Sequence, residues 1–163
     1  MAHVNQNQVW EEINKQLFGV LGMVTSNGAA RTVGVVYIEN DGRLYISSQK
    51  QAWKIRHIAQ NPQVSLTIPI HKRIPFLPWI KIPAATITFA GQAHLRDYEE
   101  VSAEVVQKLF RGMEMSTQEQ QQLAVIEVTP ASDFVTYGVG VSMSDMRDPQ
   151  KARGRVALHG VGK

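Results

Sequence analysis

Residues 30–66 read ARTVGVVYIENDGRLYISSQKQAWKIRHIAQNPQVSL, and this stretch decides the fold. Alternation over Ala30–Ile38 puts Arg31, Val33, Val35 and Tyr37 on one face of a strand and Thr32, Gly34, Val36 and Ile38 on the other. A turn at Glu39-Asn40-Asp41-Gly42 leads into a second strand, Arg43–Ser47. Ser48 and Gln51 then have the spacing of a capping box, and Ala52, Ile55, Ile58 and Ala59 recur at helical intervals. Asn61-Pro62 ends that helix, and Val64–Ile68 returns to strand.

The same short alternating segments continue outward. Upstream, Val9, Ile13 and Leu17 (with Trp10) mark an amphipathic helix over residues 5–18 that stops at Gly19. Val20–Thr25 follows as a strand, joined to Ala30–Ile38 by Ser26-Asn27-Gly28, so the first half is expected to be a three-stranded meander. Downstream, residues 69–83 hold four prolines among large apolar residues and read as a loop. Thr86–Leu95 is the fifth strand. Asp97 with Glu100 caps a helix running to Phe110, and Ser116 with Glu119 caps a shorter one. Leu123–Thr129 and Phe134–Val141, broken by Pro130, complete about seven strands. Hairpins and short helices linking seven strands predict a mainly β protein, an antiparallel barrel with peripheral α-helices. The expected organisation is one domain over residues 1–141 and a basic tail over 142–163 without periodicity.

A chain of 163 residues, 44% hydrophobic and 19% charged, has the composition of a globular domain. It has no cysteine, which excludes disulfides, thiolate metal sites and cysteine nucleophiles. The polar start, MAHVNQNQVWEEINKQL, lacks the apolar run of a signal peptide, and no segment has the apolar length of a membrane span, so a cytoplasmic protein is expected. The formal charge of +3 is unevenly spread. Residues 50–81 contain Lys50, Lys54, Arg56, Lys72, Arg73 and Lys81 with no Asp or Glu, whereas the segments on either side are net acidic. Such a block suits an anionic partner.

The junction between Arg43–Ser47 and the following helix is where that anion would sit. A helix N-terminus offers free N–H groups and the positive end of its dipole. Lys50 is expected in the first turn, with Lys54 and His57 following on one face. A hairpin across residues 39–42 would bring Arg31 near Ser47 and Ser48, and Gly34 would leave strand backbone bare to a flat ring. His57, His71, His94 and His159 have no metal-ligand spacing, and no metal site is expected.

These residues resemble the core signature of the pyridoxamine 5'-phosphate oxidase-like flavoproteins: Arg-x-Val opening a strand, a turn, a short strand ending in hydroxyl residues, a Lys inside the next helix, and Asn-Pro before a strand. The similarity extends over residues 18–69 and is architectural over 84–141. It implies a split β-barrel, FMN as cofactor and a homodimer with FMN at its interface. Arg31 and Lys54 would hold the FMN phosphate with help from Ser47 and Ser48, and the backbone of Thr32, Val33 and Gly34 would flank the isoalloxazine. The family commonly has Ser two residues before the helix Lys; Ala52 stands there instead, and Lys50 would substitute.

The resemblance does not carry the reaction, because the chain ends KARGRVALHGVGK with no Trp beyond Trp79, whereas the oxidase has an Arg-Leu-His-type motif there after a Trp-containing segment. Catalytic residues are therefore not assigned. The aromatic and basic loop at 69–83 is expected to border a small-molecule substrate through Trp79 and Arg73. The leading expectation is an FMN-dependent oxidoreductase; the competing one is a protein that stores flavin, or holds haem in the same cleft, without turnover. A single-strand nucleic-acid binder is a third class, weakened by net acidity outside residues 50–81.

Overall fold

The computed structural model describes residues 4–71 and 84–159. Two strands open the barrel, β1 (Phe18–Val24) and β2 (Ala30–Val36), paired antiparallel from Phe18↔Val36 to Val24↔Ala30. Their hairpin forms where Asn27-Gly28 predicts it, but only Gly28 takes a positive φ, 81°. The Thr25 N–H donates to the Ala29 carbonyl at 2.9 Å and the Gly28 N–H to that of Thr25, which makes a three-residue loop with one left-handed position. The next turn is the two-residue kind: Asp41 and Gly42 have φ of 51° and 71°, and join β3 (Ile38–Asn40) to β4 (Arg43–Gln49).

The expected meander does not continue from β2 to β4. Strand order is β2-β1-β5-β6-β7-β4-β3, so β2 and β3 occupy opposite ends of the sheet although Tyr37 alone separates them. The segment Ala30–Ile38 therefore crosses from one edge to the other at Tyr37, which is what curls the sheet into a barrel. Tyr37 is fully buried; its hydroxyl donates to the Ile13 carbonyl at 2.7 Å, and its N–H donates to the Leu17 carbonyl at 3.1 Å. Beyond that corner β2 has no strand on its outer side among the described residues, and the barrel is split.

The middle of the sheet is β5 (Gln63–Ile70), β6 (Ala85–Asp97) and β7 (Leu123–Pro130). The 13-residue β6 pairs with β5 over Ala85–Gln92 and with β7 over Gly91–Asp97. Inward residues such as Leu21, Leu44, Ile46, Leu66, Ile87 and Ile126 form one core, each fully buried side chain contributing about 1.5–3 kcal/mol. Helix α1 (Gln6–Lys15) adds Val9 and Ile13 to it, and α2 (Trp53–Gln60) adds Ile55 and Ile58. A smaller cluster lies outside the sheet, where α3 (Ala103–Phe110) sets Val105 against Tyr45 and Val125.

Three local expectations change. β4 runs on to Gln49, pairing with Leu123, so Ser48 stays in the strand and α2 starts at Trp53 with Ala52 as N-cap. Ladder pairing thus wins over the Ser48–Gln51 capping box, and Lys50 lies in a turn ahead of the helix. The Asp97–Glu100 box forms, but on a 3-10 turn; Val101 is extended, and Ser102 caps α3 separately. The box at Ser116 and Glu119 caps α4 (Thr117–Gln122) as expected. Finally, the tail is part of the fold. After β8 (Phe134–Tyr137), α5 (Pro149–Ala152) leads into β9 (Arg153–Val156), which pairs with β8 from Phe134↔Val156 to Tyr137↔Arg153. Its alternation was hard to read because one inward position is Gly154. The segment is also held to α1: Gln6 donates to the His159 carbonyl at 3.0 Å and accepts from the His159 N–H at 2.9 Å.

Replacing Tyr37 by Phe removes the hydroxyl's bond to the Ile13 carbonyl, which keeps the Gln16 N–H as a donor at 3.1 Å, and should cost about 0.5–1.5 kcal/mol in urea unfolding. Burial pushes the Tyr37 hydroxyl pKa up. The neutral form is therefore favoured in the fold, and the advantage over Tyr37→Phe should hold below about pH 10 and shrink above it, as the unfolded phenol ionises.

Candidate functional site

Arg31 opens β2 opposite Met23, exposed, with its side chain on the same strand face as Val33 and Val35. It meets α2 across the split: Arg31, Trp53 and His57 line a cleft of about 310 Å³. Trp53 and His57 are one helical turn apart and touch edge to face, with ring centroids 5.6 Å apart. Lys54 stands between them in sequence, half-buried in the first turn of α2. That turn carries no acidic residue, and Ala52 supplies no side-chain cap, so its first N–H groups are open to an anion.

Charge pairing separates the cations of this region. Lys50, expected to share the phosphate, is in an ion pair with Asp97. Among the described residues Arg31, Lys54 and Arg56 form no ion pair, whereas Lys15, Lys108, Arg96 and Lys151 all do. Arg31 lines the cleft and Lys54 follows the lining residue Trp53 on α2, both without an ion pair, and Lys50 is turned to a carboxylate of its own.

The two serines divide between the faces of β4. Ser48 is buried on the inner face with Leu44 and Ile46, its hydroxyl 3.4 Å from the Gln49 carbonyl. Ser47 lies opposite Val125, on the face that α3 covers. Adjacent strand residues point to opposite faces, so Ser47 and Ser48 do not converge on one ligand through their side chains.

The outer side of β2 gives the second half of the site. The N–H groups of Thr25 and Tyr37 both point across the β1–β2 hairpin. Alternation then turns the backbone polar groups of Arg31, Val33 and Val35 toward β1, and those of Thr32, Gly34 and Val36 toward the unpaired edge. Of the three residues whose backbone was expected to flank a ring, Thr32 and Gly34 thus present free edge groups and Val33 does not. Gly34 is bare, as its residue type implies, but not uncovered: a Cβ there would lie 2.8 Å from the Phe18 ring. Phe18 and Trp53 went unassigned in the sequence. Trp53 is legible from its i, i+4 spacing to His57; Phe18 becomes legible only from the hairpin register.

Arg73 and Trp79 lie outside the described residues. Arg153 and Arg155 sit at the far end of the sheet. The cross-strand row runs Gly34–Val20–Thr67–Thr88–Val135–Arg155, five strand spacings or about 24 Å, so in one chain they do not reach Arg31. Among the described residues no three His, Asp or Glu side chains gather as a metal would require, and no helix is long and apolar enough to cross a membrane.

The family model described as pyridoxamine 5'-phosphate oxidase matches residues 6–133. The chain belongs to this family. Solved structures share the fold at low identity. A putative pyridoxamine 5'-phosphate oxidase from Listeria innocua superposes with a TM-score of 0.59 at 17% identity, covering 76% of this chain and 91% of its own. The haem storage protein HutZ from Vibrio cholerae gives 0.63 at 16%, covering 83% and 96%. A protein described as an F420 reductase gives 0.54 at 16%, covering 76% and 93%. A comparison with curated proteins finds no match. The split barrel and the superfamily expected from residues 18–69 are therefore correct.

Two glycines test the local geometry. The Phe18 ring is 46% exposed and free to swing, so Gly34→Ala should change stability by less than about 1 kcal/mol. Gly91 is buried, and a Cβ there would lie 2.8 Å from the Val128 side chain and 3.0 Å from the Thr129 carbonyl, so Gly91→Ala should cost about 1–3 kcal/mol. Urea denaturation of the two variants measures the contrast.

Proposed function

We propose that this protein binds FMN and acts as an FMN-dependent oxidoreductase on a small molecule, working as a homodimer. The observation that carries the reading is the pair of unpaired cations, Arg31 and Lys54, flanking the uncapped start of α2 beside the unpaired edge of β2. A phosphate would meet both cations and the first N–H groups of the helix, and each charge-assisted contact is worth about 1.5–3 kcal/mol. One and three residues along the strand, about 3 and 10 Å away, the free N–H and C=O groups of Thr32 and Gly34 match the alternating donors and acceptors on the imide edge of a flavin. Flavin supplies the electron and hydride chemistry when bound. The chain's own part is to hold the phosphate, orient the ring along the β2 edge and limit water around it. Arg73 and Trp79 are proposed for the substrate side.

A second reading has one specific observation in its favour. His57 lines the same cleft as Arg31, and an imidazole beside a guanidinium offers an axial ligand and a propionate partner to haem. The haem storage protein among the structural neighbours lends the same reading support by likeness of fold alone. The absorption spectrum of the purified protein separates the two, and bleaching by NAD(P)H separates a turning-over flavoprotein from a storage protein.

The dimer rests on the outer sheet face. Phe18, Val24, Val36 and Val135 are exposed there, with Leu17 adjoining. The residues this face shows on β2, β1, β5 and β8, and on β6 from Thr86 to Gln92, include no charged side chain. A face of this kind suits a twofold, self-complementary contact.

Arg31→Ala and Lys54→Ala should each weaken FMN binding about tenfold or more, while Lys50→Ala changes it less than about threefold. Riboflavin, which lacks the phosphate, should bind weakly and respond to none of the three; equal affinity for FMN and riboflavin overturns the phosphate assignment. For the dimer, light scattering at micromolar concentration should give twice the chain mass, and Val36→Lys with Val135→Lys should give monomers. A wild-type monomer that keeps its flavin would contradict the shared face.

A further inference from the structure

One contact in the β1–β2 hairpin is not accounted for by the phosphate site or by the barrel core. Phe18 lies on the outer face of β1, diagonally across from Gly34, and its ring atoms approach within 2.8 and 3.0 Å of where a Gly34 Cβ would stand. It buries little for an aromatic, being 46% exposed, and takes no part in either apolar cluster. The absent Cβ at Gly34 thus leaves room for the Phe18 ring to lean over the strand, and that ring keeps 46% of its surface exposed.

We propose that Phe18 is a ring-packing contact of the cofactor site, and that the flat ring of the bound ligand lies against its exposed side, next to Gly34. The inference rests on the cofactor reading above and assigns the end of the site opposite the phosphate. Three residues of strand separate Arg31 from Gly34, about the reach of a ribityl phosphate from its charge to its ring. The edge groups of Thr32 and Gly34 would meet the polar rim of that ring, while Phe18 meets its π face in an offset or edge contact. Affinity then divides between two independent ends: charge at Arg31 and Lys54, ring packing at Phe18.

The division separates Phe18 from the cations experimentally. With the full chain, Phe18→Ala should weaken FMN and riboflavin alike, by about fivefold, because the contact does not involve the phosphate. Phe18→Trp, made together with Trp53→Phe to remove the indole already lining the cleft, should quench the fluorescence of bound FMN well below that of Trp53→Phe alone. Electron transfer from indole to excited flavin needs contact, which a merely structural aromatic on this hairpin would not provide. If Phe18→Ala also loses the dimer, the quenching experiment decides, since Trp keeps a large ring in place. Bound FMN equally bright with and without the introduced Trp, or flavin affinities unchanged in a dimeric Phe18→Ala, overturns the assignment of Phe18 alone. A wild-type chain that binds no FMN overturns the cofactor reading itself.

Discussion

The hydrogen bond from the Tyr37 hydroxyl to the Ile13 carbonyl holds together two things that would otherwise be independent. Ile13 belongs to the helix that precedes the barrel, and Tyr37 to the residue where the chain leaves one sheet edge for the other. A strand that continued straight would pair β2 with β4 and close the ladder. Anchored at Tyr37, it turns instead, so β3 joins β4 while β2 departs with one side unpaired. The split and the free edge beside it follow from that corner.

The split in turn explains why a cleft can exist in so small a protein. The inner face of the sheet is filled by the core, with α1 and α2 supplying aliphatic side chains. The outer face divides: α3 covers the half around Tyr45 and Val125, and the half around Phe18 and Val36 stays bare. One margin open to a ligand is where β2 meets the exposed side of α2. Arg31 lies there without an ion pair, while Lys50, one turn of chain before the helix, is paired with Asp97.

Much of this was legible in residues 30–66, because the deciding signals are local. Asp41-Gly42 needs positive φ at both positions, and Asn61-Pro62 ends a helix wherever it stands. Arg31 and Lys54 could be singled out for the same reason, by their places at the start of a strand and near the start of a helix. What escaped depended on contacts distant in sequence. Whether Ser48 belongs to a strand or caps a helix is settled by its pairing with Ala124 in β7, about eighty residues on. That Ser47 and Ser48 cannot act together follows once β4 is known to continue past them. The tail at 153–156 shows no apolar alternation because one of its two inward positions is Gly154, between two exposed arginines. Phe18 over Gly34 is invisible until the hairpin register places them diagonally.

The bare edge of β2 also bears on how the protein behaves before it is loaded. An unpaired strand flanked by exposed Val36 and Phe18 is a template for a second strand, with no lysine or proline along it to discourage one. On the proposed function, a ligand held along that edge would also shield it from edge-to-edge pairing.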